Sequence, residues 1–318
     1  MIDRHGRLRQ VLTACGLVLL AGAACRPVPG ARVPTSTATR ASAPVVATPT
    51  TAPLVVIDAG LPAEVQAAVQ GWAANAGVQS QVGNAGMAGE GLPGLWAVVA
   101  LEASLPALAG AGLTPETSLV VVEPSTWTPG ERTSTIGPGV AYDEAGFLAG
   151  VAAGLASGSG LIGFVPGQGS ADEASYRSGF EEGLRYSCPK CRLENASDPA
   201  RPAFAMDVVA LSPGIDLASV EEAGDAPWLV VFGGPPSGAW SDRVAARVHP
   251  APEVLAGPAL EELWRGEAGR AWEFTAGTGS LVTEVDDRVI SPGRQRLLRE
   301  AEARLAEGQL AVGGGSGT

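Results

Sequence analysis

The sequence predicts an α/β protein whose folded part consists of two lobes, each a doubly wound sheet, with a ligand cleft between them. From residue 54 onward, short apolar runs alternate with helix-length segments, which indicates βαβ units and parallel sheets covered on both faces. These units are more numerous than one doubly wound sheet of ordinary size requires. A chain of 318 residues, 46% of them hydrophobic and 17% charged, is long enough for two domains and a sizeable core.

The first series of elements predicts one lobe. The apolar run at Leu54–Ile57 predicts a buried strand, and the apolar residues from Leu61 to Ala76 recur on one helical face. Two further strands are predicted at Leu95–Leu101 and Ser118–Val122, with an Ala/Leu-rich helix between them. Strand, helix and strand follow each other as in an open parallel sheet.

The second series predicts the other lobe. Its helices and strands alternate in the same way and are, in order, Tyr142–Ala156 (helix), Leu161–Val165 (strand), Ala171–Arg185 (helix), Met206–Leu211 (strand) and Trp228–Phe232 (strand). Near the end of the chain, helices are predicted at Pro252–Arg265 and Pro292–Ala306 around a Gly-rich, strand-like region.

Small residues are frequent in the helix predicted at Tyr142–Ala156. Gly150, Ala153, Gly154 and Ala156 lack large side chains, and we expect them to let this helix approach a sheet closely. Gly158 and Gly160 are placed to end the helix before the next strand.

The first 25 residues have the pattern of an export signal. Arg4, Arg7 and Arg9 form a positive region ahead of the apolar stretch Val11–Ala24, which is shorter than the roughly 20 residues of a membrane-spanning helix. Small residues then lead to Cys25, and this resembles the bacterial lipoprotein signal, in which such a cysteine is acylated and becomes the new N-terminus. We therefore predict lipid attachment at Cys25 and a location on the extracytoplasmic side of the cell membrane. The alternative is an ordinary signal peptide cut near the same place.

Residues 26–53 are rich in Pro, Thr, Ser and Ala, a composition that cannot bury a core and predicts an extended, semi-stiff linker. Such a linker is suited to join a lipid anchor to a folded domain, although a glycosylated stalk has the same composition. At the other end, the Gly-rich residues 311–318 predict a disordered tail.

Composition argues against several classes of function. The formal net charge is −12 and Lys190 is the only lysine, so a basic surface for nucleic acid is not expected. No Gly-x-Ser-x-Gly or phosphate-binding loop motif occurs, and His249 is the only histidine after the predicted signal. We expect no enzyme activity, no cofactor and no metal, although two carboxylates brought together from distant loops would escape sequence reasoning.

Residues Tyr142–Leu184 carry a series of motifs typical of one family. These are the acidic Glu144, the run FLAG at Phe147–Gly150, a glycine-containing strand over Gly163–Gly167 and the segment GFEEG at Gly179–Gly183. The ordered series resembles the basic membrane protein family of bacterial substrate-binding lipoproteins, also called purine nucleoside receptor-like. The resemblance weakens through Trp228–Phe232 and the C-terminal helix.

The resemblance implies a type I periplasmic-binding-protein fold and a nucleoside-like ligand delivered to an ABC permease. It also implies that the chain crosses between the lobes three times. Lobe 1 would comprise residues 54–138 and about 235–272, and lobe 2 residues 139–234 and about 273–310. We expect a monomer.

Candidate ligand contacts follow from strand ends and from this resemblance. They are Asp58, Glu123, Trp127, Tyr142, Phe147, Gly167, Gly233 and His249. Asp58 follows the first strand, where the alternative role is a helix cap. Glu123 with Trp127 offers a carboxylate beside an aromatic ring, and Tyr142 and Phe147 lie where the family places contacts; Trp127 and Phe147 equally suit packing.

Two departures from the family pattern concern the ligand. After Trp228–Phe232 the family usually has Gly-x-Asp, whose carboxylate holds the ribose, and here Gly233 is followed by Gly234 and two prolines. The loop after Asp58 also lacks the family's aromatic residue and asparagine. His249 lies near the position of a family lysine and equally suits an ordinary loop contact.

Cys188 and Cys191 lie between a helix and a strand, and an exported protein favours a small disulfide there. A redox CxxC would open a helix after a strand, and a zinc site would need a second pair of ligands.

Two functions remain in competition. The first is the lipid-anchored solute receptor of an ABC importer, with nucleosides or similar small metabolites as ligands. The second is a lipoprotein of the same fold that has lost nucleoside binding and acts as an envelope sensor or partner protein.

Overall fold

The computed structural model describes residues 51–110, 112–125, 128–167, 169–196, 206–215, 227–234 and 238–313. Residues 50–318 form one compact unit. The predicted signal at 1–25, with Cys25, and the predicted linker as far as residue 50 lie outside the described residues.

Strands and helices alternate along most of this unit. In chain order they are β1 Leu54–Asp58, α1 Ala63–Ala76, β2 Gln79–Gly83, β3 Leu95–Leu101, α2 Leu105–Gly110, β4 Ser118–Val122, β5 Thr133–Val140, α3 Tyr142–Ala156, β6 Leu161–Val165, α4 Ala171–Ser187, β7 Arg192–Asn195, β8 Val208–Leu211, β9 Trp228–Phe232, β10 Val244–Pro250, α5 Pro252–Trp264, β11 Ala271–Phe274, β12 Leu281–Val285 and α6 Pro292–Ala306. Continuous apolar runs form the central strands, and segments with apolar residues on one face form the helices.

The strands assemble into two sheets of the same topology. The first has the order β11-β5-β4-β3-β1-β2 and the second β12-β10-β9-β8-β6-β7. Every described pairing is parallel except that of β10 with β12. In each sheet the first five strands follow the doubly wound order 2-1-3-4-5, which confirms the predicted α/β fold.

The boundary between the lobes differs from the prediction at one strand. We expected residues from about 235 to 272 in lobe 1, but β10 pairs with β9 and β12 in the second sheet. Its Ala246 and Val248 are buried in the core that α3 covers. The chain returns to the first lobe only at Ala251, and α5 then packs against α1 and β5.

Three short segments therefore connect the lobes. They are Ala141 between β5 and α3, Ala251 between β10 and α5, and residues 275–280 between β11 and β12. Ala141 follows the C-terminal end of β5, Ala251 that of β10, and residue 275 that of β11. Each of these three strands is parallel to a neighbour in its sheet. The carboxyl edges of both sheets thus adjoin the connections.

α3 and α4 pack on each other with their backbones in contact. A Cβ atom on Gly146, Gly150, Gly179 or Gly183 would lie only 1.9–2.1 Å from a carbonyl oxygen of the opposite helix. Gly154 faces Ser187 Oγ, 2.3 Å from where its Cβ would be. The prediction that the glycines of α3 pack against a sheet is therefore wrong, because they pack against the helix α4.

The ends of the second lobe are closed by local contacts. Cys188 and Cys191 form a disulfide directly after α4. After α6, Leu310 and Val312 pack against the core, and the Gly313 N–H donates to Glu182 Oε2 at 3.4 Å. The tail predicted as disordered from residue 311 is thus packed as far as Gly313, and residues 314–318 lie outside the described part.

Candidate ligand cleft

The candidate site lies at the carboxyl edges of the two sheets, beside the three connections. In an open parallel sheet, ligands bind outside the carboxyl ends of the strands, at the point where the strand order reverses. That point falls between β1 and β3 in lobe 1 and between β6 and β8 in lobe 2. Each lobe therefore presents one such point to the cleft.

At the lobe 1 reversal point, Asp58 ends β1 and is nearly fully buried, with 5% of its surface exposed. Its Oδ1 accepts the Gly60 N–H at 3.1 Å, and its Oδ2 accepts the Ser104 hydroxyl, which follows β3. The α1 N-cap is Pro62, with no side-chain cap, so Asp58 does not serve as the helix cap. Instead it ties the ends of β1 and β3 together.

The loop after β4 is the second polar part of lobe 1. Glu123 is exposed and has a φ of 54°, the single positive φ of a non-glycine residue in the described part of the chain. Such a conformation is costly for a residue with a side chain and is concentrated at functional loops. Nearby, Glu102 Oε2 accepts both the N–H and the hydroxyl of Ser125 at 2.6 Å. Trp127 lies outside the described residues.

At the lobe 2 reversal point, a glycine-rich loop joins β6 to α4. Glu173 is buried at 8% exposure and reaches back into this loop, where Oε1 accepts the Gly167 N–H at 2.7 Å and Oε2 accepts the Gly169 N–H. Ser170 caps the helix through its hydroxyl. Because the loop N–H groups already bind a carboxylate, they are not available for a ligand phosphate at this helix start.

Aromatic rings form the wall beside the first connection. Tyr142 begins α3, and its ring centroid lies 5.6 Å from that of Phe232 at the end of β9. Phe232 in turn lies 5.8 Å from the buried Tyr176. Burial and, secondarily, the nearby Asp172 carboxylate raise the pKa of the Tyr142 hydroxyl. The wall thus combines two partly exposed rings with one carboxylate.

Two buried hydroxyls of lobe 2 have no hydrogen-bond partner among the described residues. They are Tyr176 Oη, on a side chain with 0% exposure, and Ser212 Oγ, directly after β8. Burial alone raises the pKa of the Tyr176 hydroxyl strongly, so the group is neutral.

Glu144 links the first connection to the third. Its Oε2 accepts the Ala276 N–H at 2.7 Å, so the first turn of α3 holds the segment between β11 and β12. Burial, with a smaller effect from Asp143, raises the pKa of the Glu144 carboxyl, although the Ala276 N–H works in the opposite direction. Glu144 therefore fixes the position of the third connection relative to the start of α3.

Three of the sequence candidates do not contribute side chains to the candidate site. Phe147 is 3% exposed and packs its ring 5.6 Å from Tyr186, within the α3–α4 contact. Gly233, at φ 97°, donates its N–H to the Val248 carbonyl at 2.9 Å, so it joins β9 to β10.

His249 is the third of these candidates, and both of its ring nitrogens have partners within the second sheet. Its Nε2 lies 3.4 Å from Glu284 and 3.3 Å from Arg247, and its Nδ1 lies 3.1 Å from the Pro250 carbonyl. It lies on the face of β10 opposite to α3, because Ala246 and Val248 occupy the other face.

Several residues of the site were not among the sequence candidates. They are Glu102, Ser104, Asp172, Tyr176, Phe232 and, at the connection, Ala276. Glu102, Ser104 and Asp172 are polar and come shortly after predicted strands, which is a signal that could have identified them. No local signal identifies the pairing of Phe232 with Tyr142, because these residues are far apart in the chain.

The described residues contain no group of three or more His, Cys, Asp or Glu side chains arranged to hold a metal ion. Over the same residues, none of the helices has both the length and the apolar character needed to cross a bilayer. The candidate site offers hydroxyl groups, carboxylates and aromatic faces.

Comparison with known proteins supports the fold, and it supports the family resemblance over one segment of the chain. Residues 140–196 match the Bmp family model, described as ABC transporter substrate-binding protein PnrA-like. A solved ABC transporter system solute-binding protein from Conexibacter woesei is 18% identical, with a TM-score of 0.54 over 82% of this chain and 98% of that chain. A transcriptional activator of the comK gene from Bacillus halodurans is 10% identical, with a TM-score of 0.51 over 82% and 99%. No curated protein sequence matches this chain.

The two structures show a shared fold, since their sequence identities are low. Both span nearly their whole length on this chain, so the two-lobed architecture extends over all of its folded part. The family match covers α3, β6, α4 and β7, the segment in which the sequence motifs were found. Over residues 140–196 this chain is therefore similar to the PnrA-like substrate-binding proteins of ABC transporters, and its fold is the periplasmic-binding-protein fold.

Proposed function

We propose that this protein is the lipid-anchored extracytoplasmic solute receptor of an ABC importer and that it binds a nucleoside or a similar small metabolite between its lobes. It acts by binding and delivery to a permease, as a monomer, without catalysing a reaction. Acylation at Cys25 holds it to the outer face of the cell membrane. The family match and the shared fold support this proposal.

The observation that carries it is the Tyr142–Phe232 wall at the first connection. A flat heterocycle stacks on aromatic faces, and the nearby Asp172 carboxylate accepts its N–H or O–H donors. Closure of the lobes would bring Asp58 and Glu123 towards the same ligand from the other side. Such closure takes place about the three connections, of which Glu144 and Ala276 link the first and the third.

The charges of the cleft favour an uncharged nucleoside over a nucleotide. The polar residues at the strand ends include the carboxylates of Asp58, Glu102, Glu123 and Asp172. These groups repel a phosphate, and Glu173 already occupies the loop N–H groups that would bind one. The ribose-binding aspartate of the family is missing after β9, so sugar hydroxyls require a different acceptor, for which Asp172 is a candidate because its charge acts on Tyr142.

Thermal unfolding of the full chain with a panel of nucleosides, nucleobases, sugars and amino acids tests the proposal. A ligand at 100 times its Kd stabilises the fold by about 2.7 kcal/mol. For a chain of this length that is a shift of several degrees in Tm. Phe232→Ala should abolish the shift because the stacking face is lost, and Phe232→Tyr should keep it.

A cooperatively folded sample that shifts with no compound would contradict ligand binding and favour the second role, that of an envelope sensor or partner protein. A shift that Phe232→Ala leaves intact would place the ligand elsewhere. The anchor is tested separately: Cys25→Ser should leave an unacylated precursor, and lipid labelling that persists in this variant would contradict attachment at Cys25.

A further inference from the structure

We propose that the end of lobe 1 opposite the cleft is a membrane-contacting surface, built from the side chains of Trp72, Trp96 and Trp264. We call this surface the tryptophan end. Its partner is the headgroup layer of the lipid bilayer to which the chain is anchored. The inference rests on the proposed lipid anchor, but it concerns a surface to which no role has been assigned.

The three tryptophans come from separate elements and meet in one cluster. The ring centroids of Trp96 and Trp264 lie 4.8 Å apart, those of Trp72 and Trp96 5.6 Å, and those of Trp72 and Trp264 6.2 Å. Trp264 is 39% exposed, which is unusual for so large a side chain, and the other two are partly buried. The cluster therefore presents aromatic surface to the outside of the molecule.

An irregularity in the sheet brings Trp96 into the cluster. Leu54 of β1 pairs with Leu95 of β3, but Val55 pairs with Ala97, so Trp96 is the extra residue of a β-bulge. Regular alternation would direct Trp96 away from the face that Ala97 occupies. The bulge turns it to that face instead, where α1 and α5 pack. Bulges often serve to redirect one side chain.

The same end of the lobe is where the chain enters from its N-terminal segment. Thr51, Ala52 and Pro53 precede β1 and run beside Gly94, whose φ is 78°. A Cβ on Gly94 would lie 2.4 Å from the Ala52 carbonyl oxygen, and the Leu54 N–H donates to the Gly94 carbonyl at 2.8 Å. The chain thus enters the domain beside Gly94, which precedes Trp96 by two residues.

The position leaves the cleft accessible. The tryptophan end lies at the amino edge of the first sheet, because Trp96 is near the start of β3 and Trp264 ends α5. The ligand site lies at the carboxyl edge. Contact with the bilayer at one end therefore leaves the site open to solvent for ligand capture, and delivery to the permease requires the domain to release this contact.

Tryptophan suits a lipid headgroup layer because its ring is apolar and its indole N–H is polar. Electrostatic attraction is not expected to contribute, since the chain carries a net charge of −12 and the charged side chains near Trp264 form ion pairs, Glu261 with Arg265 and Glu262 with Arg270. Trp72 already donates its indole N–H to Glu261 Oε2 at 3.0 Å, which holds its ring in place. We therefore expect contact with zwitterionic lipid that is insensitive to salt.

Fluorescence quenching in vesicles tests the inference. The full acylated chain is incorporated into phosphatidylcholine vesicles that contain lipid brominated near the headgroup end of the acyl chains. Residues 26–53 would reach about 85 Å if they were fully extended, so a domain without its own lipid contact is free to move beyond the quencher. Quenching of tryptophan fluorescence is expected, with little change between low and high salt.

Variants separate this surface from the other tryptophans. Trp264→Gln should lower the quenching about two-fold, because the exposed ring is removed from the headgroup layer. Trp228→Phe is the matched control, since Trp228 lies in lobe 2 with Arg243 and Arg288 over its ring, and it should leave the bilayer quenching unchanged. Both substitutions leave Phe232 and Tyr142 in place, so each variant is also checked for the ligand-induced Tm shift.

Acylated protein that shows no quenching by brominated lipid would overturn the inference, as would equal loss of quenching in the two variants. A sample that is quenched but shows no ligand shift would instead contradict the proposed receptor function and leave the membrane surface intact. A chain that lacks acylation would contradict the anchor, and lipid labelling detects that independently.

Discussion

The two lobes use opposite solutions to pack a pair of helices on one face of a sheet. In lobe 2, α3 and α4 touch through their backbones, with glycines at the contact and no space for a Cβ atom. In lobe 1, α1 and α5 meet through side chains, among them Val65, Val69, Leu255 and Leu260, and the tryptophan end closes the pair. The α3–α4 contact depends on the absence of side chains at its glycines, and the α1–α5 contact depends on side chains that fill the space between the helices.

This difference explains which part of the chain is easily recognised. The segment that matches the family model, residues 140–196, contains the whole backbone contact between α3 and α4. Only glycine fits where two helix backbones approach this closely, so the positions of the glycines are tightly constrained. Packing through side chains accepts many combinations of similar volume, and lobe 1 leaves a weaker signature in the sequence.

The largest effect should come from adding one carbon atom to the backbone contact. Gly150→Ala places a Cβ 2.1 Å from the Phe180 carbonyl oxygen and 2.8 Å from the Leu184 nitrogen. Since both contacts are with backbone, the helices must separate, and we expect a loss of about 3 kcal/mol in the free energy of unfolding. Urea denaturation measures it; a variant within 0.5 kcal/mol of the parent, about the error of such comparisons, would show that the helices are not held at this distance.

The next effect concerns the end of α4. Replacing both Cys188 and Cys191 by serine opens a very short loop, for which chain entropy predicts a loss of about 2 kcal/mol. The same double variant should leave the ligand-induced Tm shift unchanged, because the disulfide lies at the end of α4 remote from Tyr142. A larger loss, or loss of ligand binding, would indicate that this end supports the cleft.

On the exposed face of α1, adding one carbon atom should have the opposite effect on stability. Gly71 of α1 is exposed, and a Cβ there would meet no atom within 4 Å. Gly71→Ala should therefore stabilise the protein by roughly 0.5–1 kcal/mol through helix propensity alone. Measured beside Gly150→Ala in the same denaturation experiment, it is the control for a glycine-to-alanine change outside any helix contact, and destabilisation by both variants would show that the loss in Gly150→Ala does not come from the backbone contact.

The smallest effect is a pH dependence at the connection that begins α3. Burial raises the pKa of Glu144 above its unfolded value. Its contribution to stability is therefore complete below the unfolded pKa and is lost as the pH rises through the higher folded pKa. Glu144→Gln keeps an oxygen for the Ala276 N–H and should flatten this decline between acidic and neutral pH. Stability curves of equal slope for the parent and the variant would contradict it.

Local pattern was sufficient for most of the central elements. α3, β3, β4, β6, β9 and α6 have the predicted bounds, because buried strands are continuous apolar runs and the helices keep one apolar face. β2 and β7 are exposed and polar, QSQVG and RLEN, and they form strands only because β1 and β6 offer free edges. β5 contains Gly137 and Pro138, which locally oppose a strand.

The site was predicted in the same uneven way. Asp58, Glu123, Tyr142 and Gly167 lie at the carboxyl ends of strands or beside a connection, a position that a βαβ pattern alone indicates. Their partners were not predictable. Ser104 approaches Asp58 only through the adjacency of β1 and β3, and Phe232 meets Tyr142 only because β9 ends beside the first connection.

The amino-acid sequence by itself determined the α/β class, the alternation of strands and helices along the chain and the positions of the central strands, because these depend on continuous apolar runs in buried strands and on burial that repeats every three to four residues in helices. Tertiary structure decided that β10 belongs to lobe 2, that the glycines of α3 face a helix and that a bulge turns Trp96 towards α1 and α5. Each of these depends on contact between segments distant in the chain, where the energy lies in the match between two surfaces and neither segment alone records it.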